Sequence, residues 1–461
     1  MKASIPQGTR DFGPETVAKR NHIFNTIRKV FELCGFQPLE TPAMENLDTL
    51  MGKYGEEGDR LIFKVLNNGL ADPKNSAQAK IAFENLLKGK SDRDLTERAL
   101  RYDLTIPFAR YVSMHHGQLS FPFKRYQIQP VWRADRPQKG RYREFWQCDA
   151  DTVGSNSLLN EVEFADIYAR VFGQLGIDVE IRINHRGILT ALAEQFGGTG
   201  KLTDITTAID KLDKIGLEKV RDELTHKGLQ AAQVSGILEY LSIQGTDEIK
   251  INRLQALLGH LESCKNAIAD LQFVLDYCMA VWPAGKIVTD LTLARGLNYY
   301  TGIIFEVKAK NTSIGSLGGG GRYDDLTGLF GIPGLPGVGI SFGVDRIYDL
   351  MEELQLFPAE VSESTQVLFF NLGEKESKAA FHLMLQLRSA GIRCELYPEK
   401  VKFEKQFKYA ERKNIPFGIF IGPDEIESNS FTSKDLKTGV QKEPISQQEM
   451  IPFFQHLFKT V

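Results

Sequence analysis

The sequence predicts a mixed α/β protein of more than one domain, and three stretches carry that prediction. Residues 121–154 read as two strands joined by a loop, with the break at Asp135–Gly140. Residues 188–278 are helical in period and poor in strand signals. Beyond residue 365, apolar strand-like runs alternate with helical ones, the order of a small α/β domain with a mainly parallel sheet.

The elements follow in chain order. Ile23, Phe24, Ile27, Val30, Phe31 and Cys34 recur at helical spacing, and Gly35 is placed to end that helix. GFQPLETPAMENLDTL carries two prolines and reads as extended chain before a turn or helix. Residues 67–97 are polar and read as an inserted surface segment. After the strand pair and the helical stretch, strand-like and glycine-rich sequence returns from Ile287 to Ile347, and DRIYDLMEEL reads as a helix. Phe357–Thr365, FPAEVSEST, has the composition of a linker. QVLFFNL, KAAFHLMLQLRSAG, IRCELYP, FEKQFKYAERKNIP and FGIFIG then read as strand, helix, strand, helix, strand. The chain is thus divided into a first domain at 1–355, interrupted by a helical insertion at about 188–278, and a second at 366–461.

Composition narrows the classes. A formal net charge of −3 gives no global signal for nucleic acid, so any such contact needs a local basic patch. The five cysteines are scattered without a CxxC pair, which predicts buried or half-buried thiols, a reducing cytoplasm, and no disulfide or metal framework. No apolar run reaches the roughly 18 residues that suggest a membrane span, and the N-terminus lacks the apolar core of a secretion signal.

Five segments hold groups suited to chemistry. FKRYQIQPVWRADRPQKGRYREFWQCDADTVG concentrates Lys124, Arg125, Arg133, Arg136, Lys139, Arg141 and Arg143. Alternate side chains of a strand share a face, so Arg133 and Asp135 point one way, and Gln147, Asp149 and Asp151 share a face of the returning strand. Guanidinium groups on one arm with amide and carboxylates on the other suit phosphates and an amine together. A solvated basic hairpin is the plainer reading of the same residues.

LARGLNYYTGIIFEV sets Arg295 among apolar residues ahead of Tyr299 and Tyr300; a turn entering a buried strand explains it equally well. SLGGGGRYDDL allows close backbone approach to a ligand, or a mobile loop. It is not a GxGxxG fingerprint, and no GxxxxGK[ST] loop occurs, so a bound nucleotide needs another holder. GVGISFGVDRI is a small-residue strand entering a helix that carries Arg346. In RYDLTIPFAR, Asp103 and Thr105 share a face just before Pro107, where a capping acid is the plain alternative.

The order of these segments resembles the class II aminoacyl-tRNA synthetases. A GF…P segment, an arginine hairpin, and a small-residue strand entering a helix with arginine look like that class's three motifs. ARGLNYYTG and GGGGRYDDL resemble the histidine-specific motifs of histidyl-tRNA synthetases, and RYDLTIPFAR and RPQKGRYREFWQCDADTVG resemble the same family. DLT, and an aspartate where many bacterial members carry glutamate, are closer to its eukaryote-like branch. The resemblance runs over nearly the whole chain and is thinnest over the helical insertion.

The resemblance implies an α+β catalytic core, an antiparallel sheet flanked by helices, with a C-terminal α/β anticodon-binding domain. It implies a homodimer, with Pro42 of the first motif at the interface. It implies activation of L-histidine by ATP with Mg2+, then transfer to the tRNA for histidine, with no metal held by the protein alone. Arg133 and Arg295 would be catalytic, Arg133 on the α-phosphate and Arg295 beside the reacting carboxylate, where a fixed cation lessens repulsion between two anions. Arg133, Asp135, Arg141, Phe145 and Arg346 would bind ATP, with Phe145 stacking on adenine. Asp103, Thr105 and Gln147 would take the α-amino group of histidine. Asp151 and Tyr300 would read its imidazole, with Tyr299 and Tyr323 beside them; neutral imidazole offers one N–H and one lone pair. Arg136 and Gln138 would face the acceptor end of the tRNA.

In the second domain Lys400, Lys402, Lys405, Lys408, Arg412 and Lys413 interleave with Phe403, Phe407 and Tyr409, fitting phosphate contact and base stacking, although Phe403 and Phe407 are expected to face the sheet. The main alternative is a synthetase-like histidine-sensing regulatory subunit of histidine biosynthesis, which resembles a core without the anticodon domain. The presence of residues 366–461, Arg133 and Arg295 argues against it. A class II enzyme for threonine, glycine or proline is disfavoured by ARGLNYYTG and GGGGRYDDL, and threonine specificity by the lack of an evident zinc site.

Overall fold

The computed structural model describes every residue except 1, 2, 89–91, 139, 284, 295–298, 359, 360, 362–364, 460 and 461, and the side chains of 55–57, 199 and 459. Its contacts divide the chain into two units, Met1–Leu356 and Phe357–Val461.

The first unit opens with the helix Pro14–Leu33, which has proline in its first turn. It ends as its sequence requires: Gly35 takes φ +78°, and the Phe36 N–H returns to the Phe31 carbonyl at 3.0 Å. Four short strands follow, β1 (Gln37–Pro38), β2 (Met44–Asn46), β3 (Lys64–Val65) and β4 (Arg98–Leu100). Then come the long hairpin of β5 (Phe123–Trp132) and β6 (Glu144–Val153), and β7 (Val179–His185), β8 (Ile287–Thr289), β9 (Ile303–Ala309), β10 (Gly318–Tyr323) and β11 (Gly337–Gly343). Eight of these form one sheet in the order β1-β5-β6-β11-β10-β9-β7-β8. Its five inner pairings are antiparallel and only the two edge pairings are parallel.

One face of this sheet is covered by helices. Phe31 of the first helix lies 5.7 Å from Tyr126 and 5.9 Å from Phe342, ring to ring. Tyr168 of the helix Leu159–Gln174 donates to the carbonyls of Gly319 (2.9 Å) and Ser341 (3.1 Å), tying the glycine strand to its neighbour from behind. Cys148 and Ala150 of β6 are fully buried, and each such apolar side chain contributes about 1–3 kcal/mol to folding. Helices from Arg186 to Met279 run between β7 and β8. Residues 67–97 lie largely at the surface, as an inserted segment should, and include the helix Ser76–Leu87, whose apolar Ile81, Phe83 and Leu87 are exposed.

In the second unit β12 (Val367–Phe369), β13 (Cys394–Leu396) and β14 (Phe417–Phe420) pair in parallel, as the strand–helix alternation predicts. Two further strands, β15 (Ser430–Asp435) and β16 (Ile445–Ser446), extend the sheet antiparallel. The sequence reading missed both: β15 is mostly polar and β16 is only two residues long. Cys34 is partly buried and the other four thiols are buried and unpaired. Among the described residues no helix is long and apolar enough to cross a membrane.

Candidate functional site

The open face of the large sheet carries the polar residues, and register decides which of them meet. Arg125 lies opposite Asp151, Gln127 opposite Asp149, and Gln129 opposite Gln147 across β5 and β6. On the other side, Gly339, Ser341 and Gly343 of β11 lie opposite Asp151, Asp149 and Gln147. Cross-strand partners share a face, so three acids and amides stand in a row, with long polar side chains beside them on β5 and only small residues on β11. The small residues are required. A Cβ on Gly339 would lie 2.0 Å from Asp151 Oδ1, and one on Gly321 would lie 2.9 Å from Tyr300 Cδ1. The four-glycine run is a strand, β10, whose bare backbone at Gly321 admits Tyr300, not a mobile loop.

Above this row lies an inner cell of about 70 Å³ lined by Asp103, Thr105, Arg133, Gln147, Asp149, Asp151, Tyr299, Tyr300 and Tyr323, with β10 and β11 as its floor. Tyr323 donates to Asp151 Oδ1 at 2.5 Å, and Arg125 Nη2 stands 2.7 Å from Asp151 Oδ2. Tyr54 and the Ile106 N–H donate to Asp103 Oδ1 at 2.9 and 3.2 Å. Three buried oxygens are left without a hydrogen-bond donor or a cation beside them among the described residues: Asp103 Oδ2, Gln147 Oε1 and Asp149 Oδ1. Buried acceptors left unpaired are costly, so the cell is built to receive a molecule that brings donors.

Its electrostatics agree. Burial raises the carboxyl of Asp103 above the usual range, against hydrogen bonds from Tyr54 and Ile106. Burial also raises Asp151, against the pull of Arg125 and the Tyr323 hydroxyl. Asp149 is pushed up to about 7, mainly by burial, with Arg125 opposing and Asp151 adding to the rise. The phenols of Tyr54, Tyr299, Tyr300 and Tyr323 are all raised by burial and stay protonated donors.

Asp149 makes a stability prediction. Its folded-state pKa exceeds the unfolded value near 4, so its contribution is full below about pH 4 and is lost as pH rises through 7. Asp149→Asn is expected to remove that loss: the variant should gain stability relative to the parent between pH 5 and pH 8, by a few kcal/mol at most. Urea unfolding of both ligand-free proteins at the two pH values measures the difference; an equal offset at both would contradict it.

Arg133 joins the cell to an outer cleft of about 560 Å³ and lines both. Its Nε donates to the Tyr102 carbonyl at 3.0 Å, and its guanidinium lies 4.2 Å from the Tyr102 ring and 5.1 Å from that of Phe145. Asp135, Arg141, Phe145 and Arg346 also line this cleft. Arg346 donates to the carbonyls of Ser316 (2.8 Å) and Gly140 (3.4 Å), fastening the hairpin loop to the approach of β10. Arg141 is half exposed and 4.0 Å from Asp135. A cation-lined cleft with an aromatic wall, opening onto a cell of acceptors, suits a polyphosphate nucleotide beside a small ammonium-bearing molecule.

The structure thus brings together Asp103, Thr105, Arg133, Asp135, Arg141, Phe145, Gln147, Asp151, Tyr299, Tyr300, Tyr323 and Arg346 around two adjoining compartments. Arg136 and Gln138 do not line either; both are exposed on the hairpin loop, where Gln138 and Arg141 exchange backbone hydrogen bonds of 3.1 and 2.9 Å. Arg295 lies outside the described residues. Sequence reasoning missed Tyr54, Tyr102 and Ser341, which line the cleft or cell, and gave no role to Arg125 or Asp149. The face-sharing of Gln147, Asp149 and Asp151 was the signal for Asp149; Tyr54 offered none.

In the second unit, Lys400, Lys402, Lys405 and Lys408 border one groove. Phe407 packs 4.7 Å from the Phe370 ring, as expected of a residue facing the sheet, whereas Phe403 reaches Phe370 at 6.1 Å and remains half exposed. Tyr409 donates to Glu395 at 3.0 Å.

Comparison with known proteins matches these two parts. A family model described as Histidyl-tRNA synthetase matches residues 75–347, and one described as Anticodon binding domain matches residues 366–457. The sequence is 53% identical over 441 residues to a histidine–tRNA ligase of Phocaeicola vulgatus, covering 95% of this chain and 96% of that one. It is 53% identical over 444 residues to that of Christiangramia forsetii, covering 96% and 97%. The crystal structure of histidyl-tRNA synthetase from Nostoc sp. PCC 7120 is similar with a TM-score of 0.82 and 29% identity, over 99% of both chains.

Proposed function

The chain belongs to the histidyl-tRNA synthetase family, and from that premise we propose the residues by which it works as a histidine–tRNA ligase. It is an enzyme of the aminoacyl-tRNA synthetase class, and its full-length likeness to histidine–tRNA ligases, anticodon-binding domain included, supports this activity over a histidine-sensing regulatory subunit. The observation that carries the residue assignments is the set of three unpaired acceptor oxygens, beside the Asp151 carboxylate, in a cell that Arg133 links to a larger cationic cleft.

Histidine enters the cell as an ammonium-bearing molecule. Its α-amino group donates to Asp103, Thr105 and Gln147, and its imidazole N–H donates to Asp151. Tyr300, a protonated phenol, supplies the hydroxyl for the remaining ring nitrogen, while Tyr323 holds Asp151. ATP lies in the outer cleft with Arg133 on the α-phosphate. Arg141 and Arg346 meet the outer phosphates and nucleotide, Asp135 lies on the same wall, and Phe145 provides a face for the adenine. Magnesium arrives as the counter-ion of the ATP phosphates. The histidine carboxylate attacks the α-phosphorus, the new P–O bond forms as the bond to pyrophosphate breaks, and Arg133 with Arg295 stabilises the charge that builds on the phosphate oxygens. The 3′-terminal adenosine hydroxyl of the tRNA then attacks the activated carbonyl and AMP leaves.

Arg136 and Gln138, exposed beside the cleft, are suited to the acceptor end of the tRNA. The groove of lysines in the second unit is suited to phosphates near the anticodon. A homodimer with Pro42 at its interface and a cytoplasmic location complete the proposal. Purified protein with labelled L-histidine, ATP and Mg2+ is expected to form histidyl-tRNA. Labelling that persists on tRNA lacking its terminal adenosine would count against the transfer step.

A further inference from the structure

Arg125 is an unusual residue for the middle of a sheet. It is fully buried, and it lines neither compartment. Its Nη2 stands 2.7 Å from Asp151 Oδ2, and its guanidinium carbon lies 4.2 Å from the centre of the Phe108 ring. None of its three nitrogens finds an acceptor in hydrogen-bonding geometry among the described residues, so ion pairing with Asp151 is its main polar contact. A buried guanidinium held this way costs several kcal/mol of desolvation, and an apolar residue would pack the same position without that cost. Something other than stability must explain it.

The surroundings of Asp151 indicate what. Tyr323 of β10 donates to its Oδ1. Asp149 of its own strand, Tyr300 ahead of β9, and Asp103 ahead of the helix Thr105–His115 line the same cell, while β11 offers only the uncharged Gly339. Arg133 borders the cell on the side of Asp103. Burial thus opposes a charge on Asp151, two further carboxyls share its cell, and Arg125 is the cation in contact with it. We propose that Arg125 is a positioning residue that keeps Asp151 ionised and fixed in one orientation, so that the cell offers a carboxylate acceptor to an imidazole N–H. This rests on the reading that Asp151 recognises the imidazole. Without the cation, a carboxyl among other carboxyls takes up a proton. It then becomes a donor facing a donor, and histidine loses its partner.

The test is histidine-dependent ATP–pyrophosphate exchange between pH 6.5 and 9, comparing each variant with the parent at every pH to cancel the titration of free histidine. Arg125→Met is expected to raise KM for histidine about 30-fold at pH 7, the order of one lost buried hydrogen bond to a charged group, with kcat changed only a few-fold. The competent form is the carboxylate, present above its raised pKa, so the KM penalty should shrink as pH rises. Arg125→Lys should restore most of the affinity. A KM penalty that is absent, equal at all pH values, or replaced by a loss in kcat alone would overturn the proposal. If circular dichroism finds Arg125→Met unfolded, Arg125→Gln decides: a pH-dependent rise in KM supports the proposal, and a profile identical to the parent's overturns it. Asp151→Asn separates the two levels. Unchanged KM in that variant removes the underlying reading; raised KM there beside an unaffected Arg125→Met removes only the role of Arg125.

Discussion

Arg133→Ala is expected to lower histidine-dependent ATP–pyrophosphate exchange by about 10²–10³-fold, the usual cost of removing one preorganised donor from a charge-developing site. Arg133 is the side chain that lines both compartments and carries a full charge, so it stands where carboxylate and α-phosphate must meet. Its position is fixed before substrate arrives, by the bond from Nε to the Tyr102 carbonyl and by the rings of Tyr102 and Phe145. A preset cation needs little reorganisation during the reaction. The loss should therefore fall mainly on kcat, with KM for histidine much less affected. Because the guanidinium is only partly buried, its removal should cost about 1 kcal/mol of stability or less. A loss confined to KM would mean that Arg133 holds substrate without serving the chemistry.

The second large effect is expected at Asp151. Asp151→Asn should lower kcat/KM for histidine by about 10³-fold or more, since a site built around a buried hydrogen bond discriminates strongly when that bond cannot form. The amide would place a donor against Tyr323, which already donates to this side chain, or against the Arg125 cation beside it. It would also leave the Arg125 guanidinium buried without its counter-charge. Circular dichroism and isothermal titration with histidine check the outcome: intact secondary structure with affinity lost. Unchanged histidine affinity would refute the assignment of Asp151.

The legible parts of this molecule were those fixed by local pattern. The hairpin is one case: period-two alternation alone put Gln147, Asp149 and Asp151 on one face, and β6 carries them so. The strand–helix alternation after residue 365 is another, and β12, β13 and β14 pair in parallel accordingly. What stayed hidden depends on register between distant segments. Tyr54 reaches Asp103 across 49 residues. Gly339 yields space to Asp151 only because β11 pairs with β6 at that offset. The glycine run left open a choice between mobile loop and close approach; its place as a strand is set by Tyr300 against Gly321 and Tyr168 against Gly318, neither visible from the run itself. Arg125 looked like one more cation of a basic hairpin, and only its burial opposite Asp151 distinguishes it.

Recognition of histidine by the inner cell is the central claim, and ATP–pyrophosphate exchange measured with each of the twenty amino acids tests it most directly. The three unpaired acceptor oxygens, the Asp151 carboxylate and the protonated Tyr300 phenol predict exchange stimulated by L-histidine far above every other amino acid. Exchange stimulated best by any other amino acid would contradict it.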